Sequence, residues 1–178
     1  MRLEKFNDNS FYIYGNKDKY LFTTRDKDLD KWYDNLNIKP GTNIFIFGSG
    51  NGEYINKLLE RTPKNVNIIL YEPYSDLFSF CIANFKFNIV NKVKFYYGIK
   101  SEKELEKIAM TYIDIFNYKK TLLLSFPGYN LIFGNEFNKF RNRITSVVNY
   151  VSSGDLVALK FGNKYIENIF NNLYLFNI

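Results

Sequence analysis

The sequence contains no histidine and a single cysteine, Cys81, in 178 residues. Without an imidazole, a Ser-His-Asp triad and a Cys-His pair are excluded, and no side chain of ordinary pKa changes charge near neutral pH. One cysteine cannot furnish the ligands of a zinc site. It also excludes an internal disulfide, so nothing points to an oxidising compartment. The neighbours of Cys81, Ser79-Phe80-Cys81-Ile82-Ala83, read as a helix carrying a buried thiol rather than a reactive thiolate. Long apolar runs are missing as well. No segment approaches the ~20 residues of a membrane span, and Met1-Arg2-Leu3-Glu4-Lys5 lacks the apolar stretch of a secretory signal. The expectation is a cytoplasmic chain with no membrane partner. Charge of one sign is also modest. The 24 basic and 18 acidic residues leave a net charge of +6, and the signs alternate through residues 25–31 and 103–107. That pattern favours a solvated mixed-charge surface over a nucleic-acid groove, so nucleic acid is not expected as a partner. Catalysis, if any, is left to carboxylates, lysine, tyrosine, backbone amides or a cofactor.

What the chain has in abundance is apolar and aromatic sequence broken at short intervals by turn residues. Two aromatic runs, Phe11 to Tyr14 and Tyr20 to Phe22, flank Gly15-Asn16-Lys17-Asp18 and read as a β-hairpin. Leu29, Trp32, Tyr33 and Leu36 mark one face of a helix over 25–37, which Pro40-Gly41 closes. Short continuous apolar strands are predicted at 43–47, 66–71, 93–97 and 121–125. Helical patterns separate them, at 54–59, 75–86 and 101–117, and a further helix is predicted at 135–152 with Phe137, Phe140, Ile144, Val147 and Val148 inward. Strands that alternate with helices and are apolar throughout imply βαβ units and a parallel sheet covered on both faces. In the tail, residues 156–161 read as a strand and 165–175 as a helix. The fold class is therefore α/β: a Rossmann-like, mostly parallel sheet flanked by helices and preceded by an N-terminal β-hairpin. Residues 1–41 form the hairpin and helix packed on the main domain, 42–150 the core, and 151–178 an extension.

The chemically suggestive spot is Gly48-Ser49-Gly50-Asn51-Gly52, between a buried strand and an amphipathic helix. On an open α/β sheet a nucleotide-type ligand rests outside the carboxyl end of such a strand. Glycine permits close backbone approach, and the following helix presents free amides and the positive end of its dipole. Glu72 ends the next strand, from where a carboxylate can accept hydrogen bonds from ribose hydroxyls. The loop is neither a dinucleotide fingerprint nor a P-loop, because its spacing is G-x-G-x-G and it has no Walker lysine. Its form resembles the S-adenosylmethionine-dependent methyltransferases, although Ile46 stands where they usually carry an acid. Two readings stay open: a site for a nucleotide or S-adenosylmethionine-like ligand, or glycines that only let a strand turn into its helix. For Glu72 the bland alternative is a solvated carboxylate at a strand end. Ser125-Phe126-Pro127-Gly128-Tyr129 reads as a Pro-Gly turn with Tyr129 packed on the surface, and Lys119, Lys120 and Lys160 as solvated lysines rather than phosphate contacts.

The order of these pieces resembles the N-terminal domain of the bacterial motility accessory factor family. The family pattern is a hydrophobic strand, a Phe-Gly-x-Gly-x-Gly-Tyr loop, a helix, Glu-Pro, a phenylalanine shortly after, and a later Pro-x-Tyr. Here Phe47, Gly48, Gly50 and Gly52, then Glu72-Pro73, Phe78, Pro127 and Tyr129 fall in that order, with Glu53 between Gly52 and Tyr54. The likeness covers most of residues 10–150. It implies a family of glycosyltransferases that attach nonulosonic acids, such as pseudaminic or legionaminic acid, to flagellin Ser/Thr. The transferase activity of that family lies in a central domain for which 178 residues leave no room. The implied role is a non-catalytic N-terminal module with no catalytic residues to carry over, residues 151–178 as a lead-in, and flagellin or other flagellar glycosylation proteins as partners. The alternative is a small methyltransferase with a degenerate motif, resting on Gly48, Gly50, Gly52 and Glu72.

Overall fold

A computed structural model of the chain describes residues 1–14, 18–23, 26–88, 93–99, 101–126 and 128–173, the side chains of 26–28 and 156–173 aside. The central element is a four-stranded parallel sheet of β4 (Asn43–Phe47), β5 (Asn67–Glu72), β6 (Val93–Tyr97) and β7 (Thr121–Ser125), in the order β6-β5-β4-β7. Side chains alternate across a strand, and both faces of this sheet are covered. On one face Phe45, Phe47, Ile69 and Tyr71 join a large cluster with Leu77, Leu105, Ala109, Phe140 and Ile144. On the other, Ile44, Ile46, Ile68 and Leu70 meet Ile55 and Leu58. Those partners come from α2 (Glu53–Arg61), α3 (Ser75–Asn84), α4 (Glu102–Tyr112) and α6 (Gly134–Leu173). α1 (Asp26–Asp34) lies beside α2, tied by Lys57 to Asp30 at 2.5 Å and Arg61 to Asp34 at 2.8 Å. α5 (Tyr129–Ile132) is a single turn.

The N-terminal hairpin is part of a three-stranded antiparallel sheet of β1 (Arg2–Asn7), β2 (Ser10–Tyr14) and β3 (Lys19–Thr23). Phe11, Ile13 and Phe22 point inward from it and join the large cluster. The predicted turn at Gly15, Asn16 and Lys17 lies outside the described residues, as does Pro127. β1 was not expected from Arg2-Leu3-Glu4-Lys5-Phe6-Asn7: it is an edge strand, nearly all exposed, and carries no apolar alternation. The tail also differs from expectation. Residues 156–161 are not a strand but continue α6, whose 40 residues run unbroken across the boundary placed at 150. A short apolar run such as Leu156-Val157-Ala158-Leu159 has no period of its own, so the helix already begun upstream decides its state. Gly154 alone does not stop it, and no proline follows.

Candidate functional site

β5 and β6 extend the sheet on one side of β4 and β7 on the other, so the strand order reverses at the carboxyl ends of β4 and β7. That is the topological switch point where open α/β sheets bind ligands, and the glycine loop leaves β4 there. Gly48, Gly50 and Gly52 adopt φ of 93°, 54° and 83°, the left-handed region that disfavours other residues. Gly48 N–H donates to Tyr71 O at 2.8 Å and keeps the loop on the end of β5, while Gly52 caps α2.

The structure brings Gly48, Ser49, Gly50 and Glu72 together as the spacing predicts, but not around an open crevice. Residues 48–52 are all buried. Glu72 is not a solvated strand end. It is 0% exposed. Its Oε2 accepts from Ser49 N–H and Ser49 Oγ–H, both at 3.0 Å, and its Oε1 from Tyr74 N–H at 3.4 Å. Burial pushes its carboxyl up to about 7, although the Ser49 donors, the Tyr74 amide and the Tyr129 hydroxyl all pull the other way. Asn51 turns from the loop to the N-terminal sheet, its Nδ2 donating to Asn9 O at 2.8 Å. Gly52 faces Lys86, whose carbonyl a Cβ at this glycine would approach to 2.9 Å.

Two aromatic rings fill the remaining space. A Cβ on Gly50 would stand 1.9 Å from Phe126 Cε2, and one on Gly48 would stand 2.3 Å from Tyr129 Cδ1. Tyr129, expected on the surface, is fully buried, and its hydroxyl accepts from Gly50 N–H at 3.4 Å. Phe126 N–H donates to Phe47 O at 2.8 Å, which holds the segment after β7 against β4. Phe22 closes the stack edge-on to Tyr129 at 5.2 Å. Sequence reasoning missed these two plugs. The usable signal was an aromatic on each side of Pro127-Gly128 directly after an apolar strand; that strand, β7, is a half-buried edge strand rather than the buried one expected. Lys119 and Lys120 precede β7, at the sheet end away from the glycine loop, and Lys120 Nζ donates to Pro40 O at 3.2 Å. The side chain of Lys160 lies outside the described residues.

The chemistry available is accordingly narrow. Among the described residues no group of three or more acidic or thiol side chains is arranged to hold a metal ion, and no helix is long and apolar enough to cross a membrane. Cys81 is buried, and burial together with the Glu72 charge pushes its thiol well up. A thiol-disulfide reagent should therefore react with Cys81 only as fast as the chain opens. Colour release at the free-thiol rate from the folded protein would contradict this burial. No family model matches the chain, and no curated protein matches its sequence.

Proposed function

We propose that the chain is a non-catalytic, Rossmann-like module of the cytoplasm whose glycine loop joins strand to helix and does not cradle a ligand. It would serve a motility-associated glycosyltransferase system that modifies flagellin. One observation carries the first part: the rings of Phe126 and Tyr129 pack directly against Gly50 and Gly48, where a cradle would leave the loop open to a ligand. Glu72, the ribose-contact candidate, directs both oxygens to donors of its own chain. The association with flagellin modification rests on the motif order Gly48-x-Gly50-x-Gly52, Glu72-Pro73, Phe78 and Pro127-x-Tyr129. The methyltransferase alternative requires Phe126 and Tyr129 to leave a buried aromatic stack, whose geometry alone contributes about 0.5–1.5 kcal/mol per ring pair beyond the buried area.

The test follows the loop itself. In amide NMR spectra, S-adenosylmethionine, S-adenosylhomocysteine and NAD should leave the Gly48, Gly50 and Gly52 resonances unmoved at millimolar ligand. Saturable shifts at those three amides would establish a ligand cradle instead. Transfer of a nonulosonic acid from its CMP-sugar to flagellin by this chain alone would overturn the non-catalytic assignment.

A further inference from the structure

Phe126 and Tyr129 pack against the glycine loop that follows β4. Beyond β5 and β6 a cavity of about 270 Å³ remains, between Pro73-Tyr74, Ile99 and the first turns of α4 and α6. Its floor is rigid. The Tyr71 ring stacks on Phe140 with centroids 5.0 Å apart and planes 8° from parallel, and the Tyr71 hydroxyl donates to Ile99 O at 2.6 Å. Pro73, Ile99 and Leu105 add apolar wall. The polar groups converge on the rim: Glu102, Glu136 and Lys139.

We propose that this cavity binds a neutral, hydroxyl-rich ring: a free sugar, or the ribose of an uncharged nucleoside. The rim carboxylates are braced by the protein and are thus placed as acceptors. Arg143 Nε donates to Glu102 Oε2 at 2.9 Å, and Arg143 Nη2 donates to the same oxygen. Tyr74 Oη donates to Glu136 Oε1 at 3.2 Å. In each carboxylate the second oxygen receives no hydrogen bond among the described residues, which leaves each an acceptor for a ligand hydroxyl. Arg143 also holds the Glu102 carboxyl below the usual carboxylate range, so it stays ionised and accepts only. Lys139 supplies donors. The tyrosine and aliphatic walls suit the C–H face of a ring. The volume sits just under the ~300–1,000 Å³ of common ligand pockets, which suits one ring better than a dinucleotide. Charge disfavours an anion: Glu102, Glu106 and Glu136 outnumber Arg143 and Lys139 around the opening.

Titration of the full chain with adenosine, N-acetylglucosamine and adenosine monophosphate, followed by amide NMR, tests this. Saturable shifts of Tyr74, Ile99 and Glu136 with a neutral probe are expected. Adenosine alone would identify a nucleoside, N-acetylglucosamine alone a free sugar, and both would support the class. The monophosphate should bind more weakly than adenosine. Glu136→Gln should weaken the neutral probe about tenfold, as for the loss of one hydrogen bond to a charged acceptor. Leu105→Trp, which fills the cavity, should abolish binding. No saturation by either neutral probe at millimolar concentration overturns the proposal. So do equal affinity for the monophosphate, binding that survives Leu105→Trp in a folded variant, and shifts confined to Gly48–Gly52.

Discussion

Gly50→Ala should destabilise the protein by roughly 3 kcal/mol or more, the largest effect expected from adding one methyl group anywhere in the glycine loop. Two costs combine. A non-glycine residue at φ 54° carries the left-handed penalty of about 1–2 kcal/mol. The new Cβ would stand 1.9 Å from Phe126 Cε2 in a buried stack that includes Tyr54, Phe22 and Tyr129, so the ring must move and disturb each neighbour. Overpacking of that kind costs about 1–3 kcal/mol. Against a typical domain stability of about 5–15 kcal/mol the loss is large. It should appear as a lower denaturation midpoint with an unchanged slope. Gly154→Ala is the internal control: a Cβ there meets nothing within 4 Å, and the site lies inside α6. Alanine should add about 0.5–1 kcal/mol through helix propensity.

The same mutation separates a joint from a cradle. In a cradle the glycine is needed for a ligand, so alanine would spare the fold and abolish binding. In a joint the glycine is needed for Phe126. Phe126→Leu should then recover part of the loss in the Gly50→Ala background, a coupling of about 0.5–3 kcal/mol between touching residues. Strict additivity of the two substitutions, or a neutral Gly50→Ala, would remove Phe126 from the role given to it here.

The parallel sheet was legible because its strands are short apolar runs closed by strong turn residues. Residues 43–47, 93–97 and 121–125 are the strands at those bounds, and 66–71 is β5 displaced by one residue. The glycine loop and Glu72 were legible for the same local reason, since each directly follows or ends such a run. What covers them was not. Phe126 and Tyr129 lie more than 70 residues beyond the loop in sequence, as in the Gly50–Tyr129 hydrogen bond with a separation of 79. A Pro-Gly turn between aromatics has no periodicity to say which way its rings point. The burial of Glu72 is a tertiary fact of this kind. So is the cavity over Tyr71, whose lining joins residues from β5, α4 and α6. β1 was missed because a charged edge strand takes its partner's register and needs no apolar face of its own.

The absence of histidine gives Glu72 a clear experimental window. Its carboxyl rises from an ordinary 4.5 to about 7 in the folded chain because desolvation outweighs the Ser49 and Tyr74 donors. Between those two values the folded state keeps the proton while the unfolded chain has released it. The folded state therefore binds more protons, and stability falls as pH rises through this window, flattening above about 7. A shift of that size corresponds to about 3 kcal/mol in all. Among the described residues Asp30 and Glu102 move the opposite way: Lys57 beside Asp30 and Arg143 beside Glu102 lower those groups, so their stabilisation is lost only below the ordinary carboxylate range. The groups around Glu72, namely Tyr71, Tyr74, Cys81 and Tyr129, are all pushed upward by burial and titrate far above neutrality. With no imidazole in the sequence, Glu72 governs the slope between about pH 5 and 7. Denaturant unfolding of the native chain should thus give a midpoint that falls across this range, and Glu72→Gln should flatten it by removing the buried charge. Ser49→Ala deletes one donor to the carboxylate and should carry the falling region to still higher pH. A native midpoint independent of pH from 5 to 8, or an unchanged slope in Glu72→Gln, would mean that Glu72 is hydrated and that the plug over the glycine loop is open in solution.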